Sequence, residues 1–507
     1  MPAVFRTDQK KKTGSMILKS FFLLQLLGLL CWYWHGDFGY STGVLLTFVS
    51  MSFVNCILFF HRTGKYCNKS FHIIIFCLGY LIVFFQNYIE ILLGNLAVED
   101  IRYSIASPED VICSAAMSTM GLLGMFLGVL LMTPPKQTAE EPRSEGVIAD
   151  SSVRLPGQPY WIWGAFLLFF AFNREYLFNT EYSQELLESR SFVSNAVHSL
   201  FQSVCIVFLA YNCNDLMRRK KKVFAREFFQ HIGWHLNMAI FLFISCLMVG
   251  GDRGGALPVI LAYCAAFLLV SRFTFRYKYL LILSIIGGIF FGFVAQMRTT
   301  DKSAPLLQRV TESINFFKSA GKGSERVYSP TAELAGSVAT FHNVVSYIPQ
   351  FHPFFYGYFN FLELASIVPG VGRAFRTFYP GHFKYWGASY FCTWLFFGDN
   401  YPMGTGTSWN ADLYMNFGLS GIVLGMFLWG IFLAFLRNKM LLEPASVSAL
   451  ICYLVIAGTA LYSNRATIMY FAPILVHSCI LYFLYNFFFI SRKNNRKDLY
   501  KSIGVKK

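Results

Sequence analysis

Long apolar runs recur along the chain and alternate with short polar segments. A run of roughly 20 apolar residues can cross a bilayer as one helix. Twelve runs fit this requirement, at about 17–34, 42–60, 71–91, 112–132, 159–173, 191–213, 231–249, 255–271, 279–296, 415–436, 446–462 and 466–490. The fifth is short, and only Ser463-Asn464-Arg465 separate the last two. The pattern predicts an all-α polytopic membrane protein with about twelve transmembrane helices.

One long segment, residues 297–414, interrupts this alternation and is too long to be only a connection. It contains two apolar stripes of helical spacing, Leu306, Leu307, Val310, Ile314 and Phe317, then Leu334, Val338, Phe341 and Val345. The aromatic stretch FHPFFYGYFNFLELASIVPG follows and is typical of a segment at the membrane interface. We predict a partly helical lid on the outer face of the protein. The alternative is an independent soluble domain.

These segments divide the chain into six parts. They are helices 1–4 in 1–132, a Pro-rich cytoplasmic linker at 133–158, helices 5–9 in 159–296, the outer loop 297–414, helices 10–12 in 415–490 and a basic tail at 491–507.

Charge determines the expected orientation. The chain has 43 Lys and Arg against 27 Asp and Glu, a net charge of +16, whereas only 14% of its residues are charged and 55% are hydrophobic. If the N-terminus is cytoplasmic, the basic segments all fall on the cytoplasmic side, as cytoplasmic loops usually do. The charge excess therefore indicates topology, with both termini cytoplasmic, and not a nucleic-acid partner. The 12 cysteines lie almost entirely in apolar runs and form no disulfide framework.

Three isolated arginines lie against the outer ends of helices, where the same charge bias disfavours them. They are Arg253 in GGDRGGALP, Arg298 in AQMRTTDK and Arg465 in YSNRAT, and the outer loop adds Arg373 and Arg376. Guanidinium groups bind phosphate bidentately and stay charged, so these arginines predict an anion site. Glycines around Arg253 would let backbone approach a ligand closely. The alternative is that each side chain extends toward the interface or pairs with an acid.

The stretch GTGTSWNADLYMNFGLSG leads directly into an apolar helix. Asp412 precedes that helix, where a carboxylate is stabilised by the helix dipole, so it is either a cap or a functional acid. Asn416 lies one turn later and is expected to face the same way. Trp409 and Tyr414 could stack on sugars, and the Gly-Thr pairs form a flexible, hydroxyl-rich backbone. His342 is the histidine that we assign to substrate binding. No metal-ligand spacing occurs, which predicts a protein without a metal or another cofactor.

Three of these segments resemble one known family. DLYMNFGLSGIVLGMFLWG resembles the signature that begins a late helix in Wzy-type O-antigen polymerases, and GGDRGGALPVILAYC resembles the start of a middle helix there. VPGVGR resembles a Pro-Arg element of that family's periplasmic loop, although Gly-Val-Gly separates Pro369 from Arg373. The number of helices, the orientation and the late outer loop also fit that family.

The resemblance implies a bacterial inner-membrane glycosyltransferase that polymerises undecaprenyl-diphosphate-linked repeat units at the periplasmic face. Arg253, Arg465 and Asp412 would be catalytic. The diphosphate- or glycan-binding residues would be Arg298, Arg373, Arg376, Trp409, Tyr414, Asn416 and His342. Lipid-linked glycans, membrane lipids and a chain-length regulator are the expected partners. Two alternatives stay open, an O-antigen ligase and, in a different class, a flippase for lipid-linked oligosaccharides.

Overall fold

A computed structural model of the chain describes residues 2–36, 39–63, 68–101, 105–132, 157–178, 192–219, 222–249, 252–274, 331–368, 370–378, 381–401, 404–442 and 446–490, with residues 287, 308, 311 and 312. These residues are predominantly helical, and no strand occurs among them. The all-α fold class is confirmed.

The first half of the chain contributes ten helices to the described residues. They are α1 (Pro2–His35), α2 (Thr42–Thr63), α3 (Phe71–Leu92), α4 (Val98–Ile101), α5 (Pro108–Leu131), α6 (Gln158–Phe178), α7 (Phe192–Arg218), α8 (Ala225–Ile232), α9 (Trp234–Val249) and α10 (Arg253–Val270).

The second half begins with short helices and ends with long ones. They are α11 (Ala332–Ala335), α12 (Val338–Tyr347), α13 (Tyr358–Ser366), α14 (Val371–Phe378), α15 (Ala388–Phe397), α16 (Trp409–Leu442), α17 (Val447–Thr459) and α18 (Ala472–Tyr485). Short 3₁₀ turns cover Phe383–Tyr385 and Tyr462–Arg465, and a π-helical turn, Asn486–Ile490, follows α18.

Seven of the described helices are long and apolar enough to cross a membrane, or up to eight if the bent pair α8 and α9 forms one span. Eleven of the twelve predicted runs overlap helices. The ninth run, 279–296, lies outside the described residues apart from residue 287. The number twelve therefore stays a prediction, while the polytopic, membrane-spanning class is confirmed.

Helix α5 forms the centre of the bundle, where most of its residues are buried. It packs against α16, α1 and α2. A Cβ atom at Gly124 would lie 2.8 Å from the carbonyl oxygen of Val423, and one at Gly128 would clash with the carbonyl oxygen of Phe427. The two backbones thus approach as closely as small residues permit, which is a usual way for helices to associate in membranes.

Short helices α11–α15 pack directly on this bundle. Helix α12 lies against α16 and α5, and α11 lies against α3. The predicted stripe through Val338 and Phe341 is helical, and both side chains are fully buried. The first predicted stripe lies mostly outside the described residues. Large apolar side chains remain exposed in the aromatic stretch, including Phe351, Tyr356 and Phe361, as expected of a segment at a membrane interface.

Candidate active site

Helix α16 begins earlier than the sequence predicts, and this places Asp412 inside its first turn. The expected start was near residue 415, whereas the helix begins at Trp409 and the Asp412 amide donates to the Ser408 carbonyl at 2.9 Å. The prediction that Asp412 precedes the helix is therefore wrong. The residue still lies near the positive end of the helix dipole, which favours a carboxylate there.

The carboxyl group of Asp412 is fully buried and both of its oxygens accept hydrogen bonds. Asn416 Nδ2 donates to Oδ1 at 3.0 Å, and the backbone amide of Ile468 donates to Oδ2 at 2.9 Å. The prediction that Asp412 and Asn416 face the same way is confirmed. The second bond reaches the segment between α17 and α18, so Asp412 connects two distant parts of the chain.

A break in α16 opens a connection to the segment before α13. Gly418 has φ 63° and ψ −153°, a combination essentially restricted to glycine, and it interrupts the helical hydrogen bonds. The carbonyls of Met415 and Asn416 instead accept from the amides of Phe355 and Tyr356, at 2.9 and 3.1 Å. Asn416 Oδ1 also accepts from the Gly357 amide at 2.9 Å. The break therefore holds the start of α13 beside Asp412.

Helix α13 brings a second carboxyl group, Glu363, close to Asp412. Burial, followed by the charge of Asp412, raises the pKa of Glu363 well above its ordinary value, whereas a hydrogen bond with Thr467 lowers it. Glu363 is not among the site residues predicted from the sequence. The signal that could have found it is that Glu363 is the single Asp, Glu, Lys or Arg in the aromatic stretch 351–370.

Arg465 lies in the same region, in the 3₁₀ turn Tyr462–Arg465 that follows α17. Its Nη1 atom lies 2.8 Å from Oε1 of Glu333 on α11, and the Arg465 side chain is 20% exposed. The turn is attached to α3, because Asn464 is fully buried and donates to the Phe76 carbonyl at 3.1 Å. Arg465 is thus a partly exposed cation on a rigid support.

Helix α10 begins at Arg253, beside the same turn. Asp252 caps this helix by accepting from the Gly255 amide at 2.9 Å. A Cβ atom at Gly254 would lie 3.2 Å from the ring of Tyr462, and one at Gly255 would meet the ring of His198. Side chains of the protein therefore fill the space at these two glycines, and a role of the glycines around Arg253 in ligand approach stays a prediction. The Arg253 side chain lies outside what the structure describes.

The remaining predicted arginines cannot be placed as side chains. Arg298 lies outside the described residues. Arg373 and Arg376 are on α14, which packs beside α13, and their side chains also fall outside the description. Their assigned roles stay predictions.

Three predicted binding side chains point into the protein. Trp409 is 3% exposed, and its ring centroid lies 4.8 Å from that of Trp429. Tyr414 is 5% exposed and packs against Phe341. His342 is fully buried, with Nε2 at 2.9 Å from the Tyr88 hydroxyl oxygen. In this conformation none of the three presents a surface to a sugar, so their binding roles also stay predictions.

The Gly-Thr pairs before α16 contact protein as well. Thr407 is fully buried, with Cys392 Sγ 3.4 Å from its hydroxyl oxygen, and the Thr405 hydroxyl lies 3.3 Å from that of Thr393. Among the described residues, no group of three or more His, Cys, Asp or Glu side chains could hold a metal ion.

The site therefore gathers Asp412, Glu363 and Arg465 around the segment that joins α17 to α18, with the first residue of α10 beside it. The family of the chain follows from its similarity to known protein families. The family model of the O-antigen polysaccharide polymerase Wzy matches residues 15–497, nearly the whole chain. The chain belongs to the Wzy family. Membership assigns it a polymerase role in O-antigen synthesis. No curated protein and no solved structure gives a match.

Proposed function

We propose that this Wzy protein is an inner-membrane glycosyltransferase that joins undecaprenyl-diphosphate-linked repeat units at the periplasmic face. A lipid-linked chain is the donor and a lipid-linked repeat unit is the acceptor. The acceptor hydroxyl attacks the anomeric carbon of the donor, and undecaprenyl diphosphate leaves. A chain-length regulator is a further proposed partner.

The observation that carries this proposal is the convergence of acids and an arginine on the segment 462–470. Ile468 in this segment bonds to Asp412, and Thr467 bonds to Glu363. Arg465 lies on its turn, and Tyr462 packs against the residue that follows Arg253. An acceptor hydroxyl needs a hydrogen-bond acceptor, and a departing diphosphate needs cations. This segment supplies support for both.

The ion pair between Arg465 and Glu333 is compatible with diphosphate binding. The Glu333 side chain is 41% exposed, and such pairs contribute only about 0–1 kcal/mol to stability. A diphosphate offers more charge and several oxygens, which favours exchange of the carboxylate for the ligand. Arg253 and Arg465 would then share the donor diphosphate, with arginines rather than a metal stabilising the leaving group.

Incubation of the purified protein with one lipid-linked repeat unit tests the proposal. A ladder of products that differ by one repeat is the expected result, and unchanged substrate in a folded sample would contradict it. In cells, loss of a polymerase leaves lipid core carrying one repeat, whereas loss of a ligase leaves bare core. A deletion strain that shows bare core would therefore favour the ligase alternative.

A further inference from the structure

Helix α13 has an unusual distribution of side chains. Its exposed face is apolar, with Phe361 at 63% and Leu364 at 45% exposure. Phe359 and Leu362 form its buried face, and between the two faces lie the half-buried polar residues Asn360 and Glu363, three positions apart and hence on one side of the helix. The exposed apolar face suits contact with lipid, and the Glu363 side chain is turned toward Asp412 and Thr467.

The polar side of the helix carries two buried oxygen atoms that need hydrogen-bond donors. No donor within the described part of the chain reaches Oδ1 of Asn360 or Oε2 of Glu363, although both atoms are enclosed. Leaving a buried acceptor without a donor is unfavourable, so such atoms call for an explanation. Sugar hydroxyl groups are hydrogen-bond donors, and two acceptors on one side of a helix can each accept from a hydroxyl of the same glycan.

Asp412 differs from Glu363 in being satisfied by the protein. Both of its carboxyl oxygens accept hydrogen bonds, from Asn416 and from Ile468. Each Asp412 oxygen therefore already has a donor from the protein, whereas Oε2 of Glu363 has none among the described residues. The charge of Asp412 also raises the pKa of Glu363. The geometry therefore separates a positioning carboxylate from one that is available for chemistry.

We propose that the Asn360–Glu363 face of α13 binds hydroxyl groups of the acceptor sugar, and that Glu363 takes the proton of the attacking hydroxyl. This inference rests on the proposed function. The hydroxyl oxygen forms a bond to the anomeric carbon, and its proton moves to the Glu363 carboxylate. The bond between the anomeric carbon and the diphosphate oxygen breaks, and the electron pair leaves with the diphosphate. Asp412 holds the segment 467–468 in place, and Asn360 orients the sugar.

Two further observations support this assignment. A general base works best with a pKa near the working pH, and the pKa of Glu363 is raised toward that range. Because the two oxygens are enclosed, the sugar reaches them through a displacement of α13. Gly357 and Gly370 flank the helix, and both have φ above 80°, a backbone conformation that glycine adopts readily.

The test compares Glu363→Gln and Asn360→Ala with the wild-type protein and with a control, Glu90→Gln. Glu90 lies in the last turn of α3 and accepts from Asn95 at 2.8 Å, and glutamine can accept the same bond. Single-turnover extension of the lipid-linked repeat unit is measured together with thermal unfolding in detergent. We expect Glu363→Gln to slow extension about 10²–10⁴-fold with Tm unchanged, the usual range for a general base. Asn360→Ala should raise KM for the acceptor about tenfold, and Glu90→Gln should match wild type.

Extension by Glu363→Gln at the wild-type rate, or an unchanged KM in Asn360→Ala, would overturn the inference. If Glu363→Gln does not fold, Asn360→Ala becomes the deciding variant. A second assay measures thermal stabilisation of each protein by the free oligosaccharide repeat unit, a probe that needs no polymerisation. Stabilisation of wild type that weakens in Asn360→Ala supports the glycan site even if wild type forms no ladder, in which case only the proposed function fails. If wild type forms a ladder but the Glu363→Gln and Asn360→Ala variants do not differ from it, the inference fails while the proposed function stands.

Discussion

Arg465 and Glu333, which are 132 positions apart in the chain, form an ion pair with 2.8 Å between Nη1 and Oε1. The pair joins the turn between α17 and α18 to α11, the first short helix before α12. It is partly exposed and therefore contributes little to stability. The pair matters because of its position: in the proposed function, a diphosphate would replace the Glu333 carboxylate beside Arg465.

Replacing Arg253 or Arg465 by lysine should abolish normal polymer. Lysine keeps the charge but loses the planar, bidentate fork, so it stabilises a departing diphosphate less well. Loss of an interaction that acts mainly in the transition state typically costs about 10²–10³-fold in rate. Polymer length and the amount of protein in the membrane are measured together in each variant.

Arg219→Lys is the control for these two variants. Arg219 pairs with Asp215 at 3.0 Å within one helical turn, away from the site, and should tolerate lysine. Normal polymer in Arg253→Lys and Arg465→Lys would refute a shared role at the diphosphate. Disappearance of the protein together with the polymer would show instead that the arginines hold the bundle together.

Asp412→Asn should destabilise the protein. Asp412 now accepts hydrogen bonds from Asn416 Nδ2 and from the Ile468 amide. In asparagine one of the two oxygens becomes an NH₂ group, which is itself a donor, so one of these two donors loses its acceptor. An unsatisfied buried polar group costs about 1–3 kcal/mol, which a lower Tm in detergent would reveal. Asp399→Asn is the matched control, because Asp399 is exposed and its bond from Trp394 can be kept by the asparagine oxygen. Equal Tm values for the two variants would contradict this account of Asp412.

Gly418→Ala should disturb the break in α16. The conformation at φ 63° and ψ −153° is unfavourable for alanine, and the new Cβ atom would lie 3.0 Å from the Phe354 ring. Backbone strain of this kind costs on the order of 1–3 kcal/mol. We expect a lower Tm and shorter polymer. Gly28→Ala is the control, since a Cβ atom at Gly28 meets nothing within 4 Å; a fall in Tm as large as that of Gly418→Ala would rule out this explanation.

The proposed orientation predicts from which side of the membrane a reagent can label each end of the bundle. In a background without native cysteines, Glu333→Cys should react with an impermeant thiol reagent added to intact cells whose outer membrane is permeable. Lys439→Cys, near the opposite end of α16, should react only after the inner membrane is opened. Both positions are exposed, so access rather than burial decides the result. Labelling of Glu333→Cys only from the cytoplasm would invalidate the periplasmic site.

Polymerisation should survive chelation of divalent cations. Arginine side chains can neutralise the departing diphosphate without a metal. The measurement is ladder formation by purified protein in EDTA, compared with the same reaction in Mg²⁺. Loss of the ladder in EDTA and its return with added Mg²⁺ would disprove metal independence.

Local pattern in the sequence predicts the helices well, because apolar run length and charge bias are properties of neighbouring residues. The same holds for Asp412 and Asn416, which face each other because the helical repeat brings residues four apart together. The stretches around Arg253 and Asp412 likewise indicate the family without a structure, and the family match across residues 15–497 confirms that family.

The tertiary structure decided what surrounds those residues. A glycine in an apolar run does not reveal its φ, so the break at Gly418 and the early start of α16 could not be predicted. That break frees two carbonyls to which the segment before α13 bonds, and this attachment holds the helix that carries Glu363 beside α16. The rings that fill the space at Gly254 and Gly255 come from α7 and from the turn after α17. Such contacts join residues far apart in the chain, and their geometry depends on how whole helices pack rather than on any local repeat.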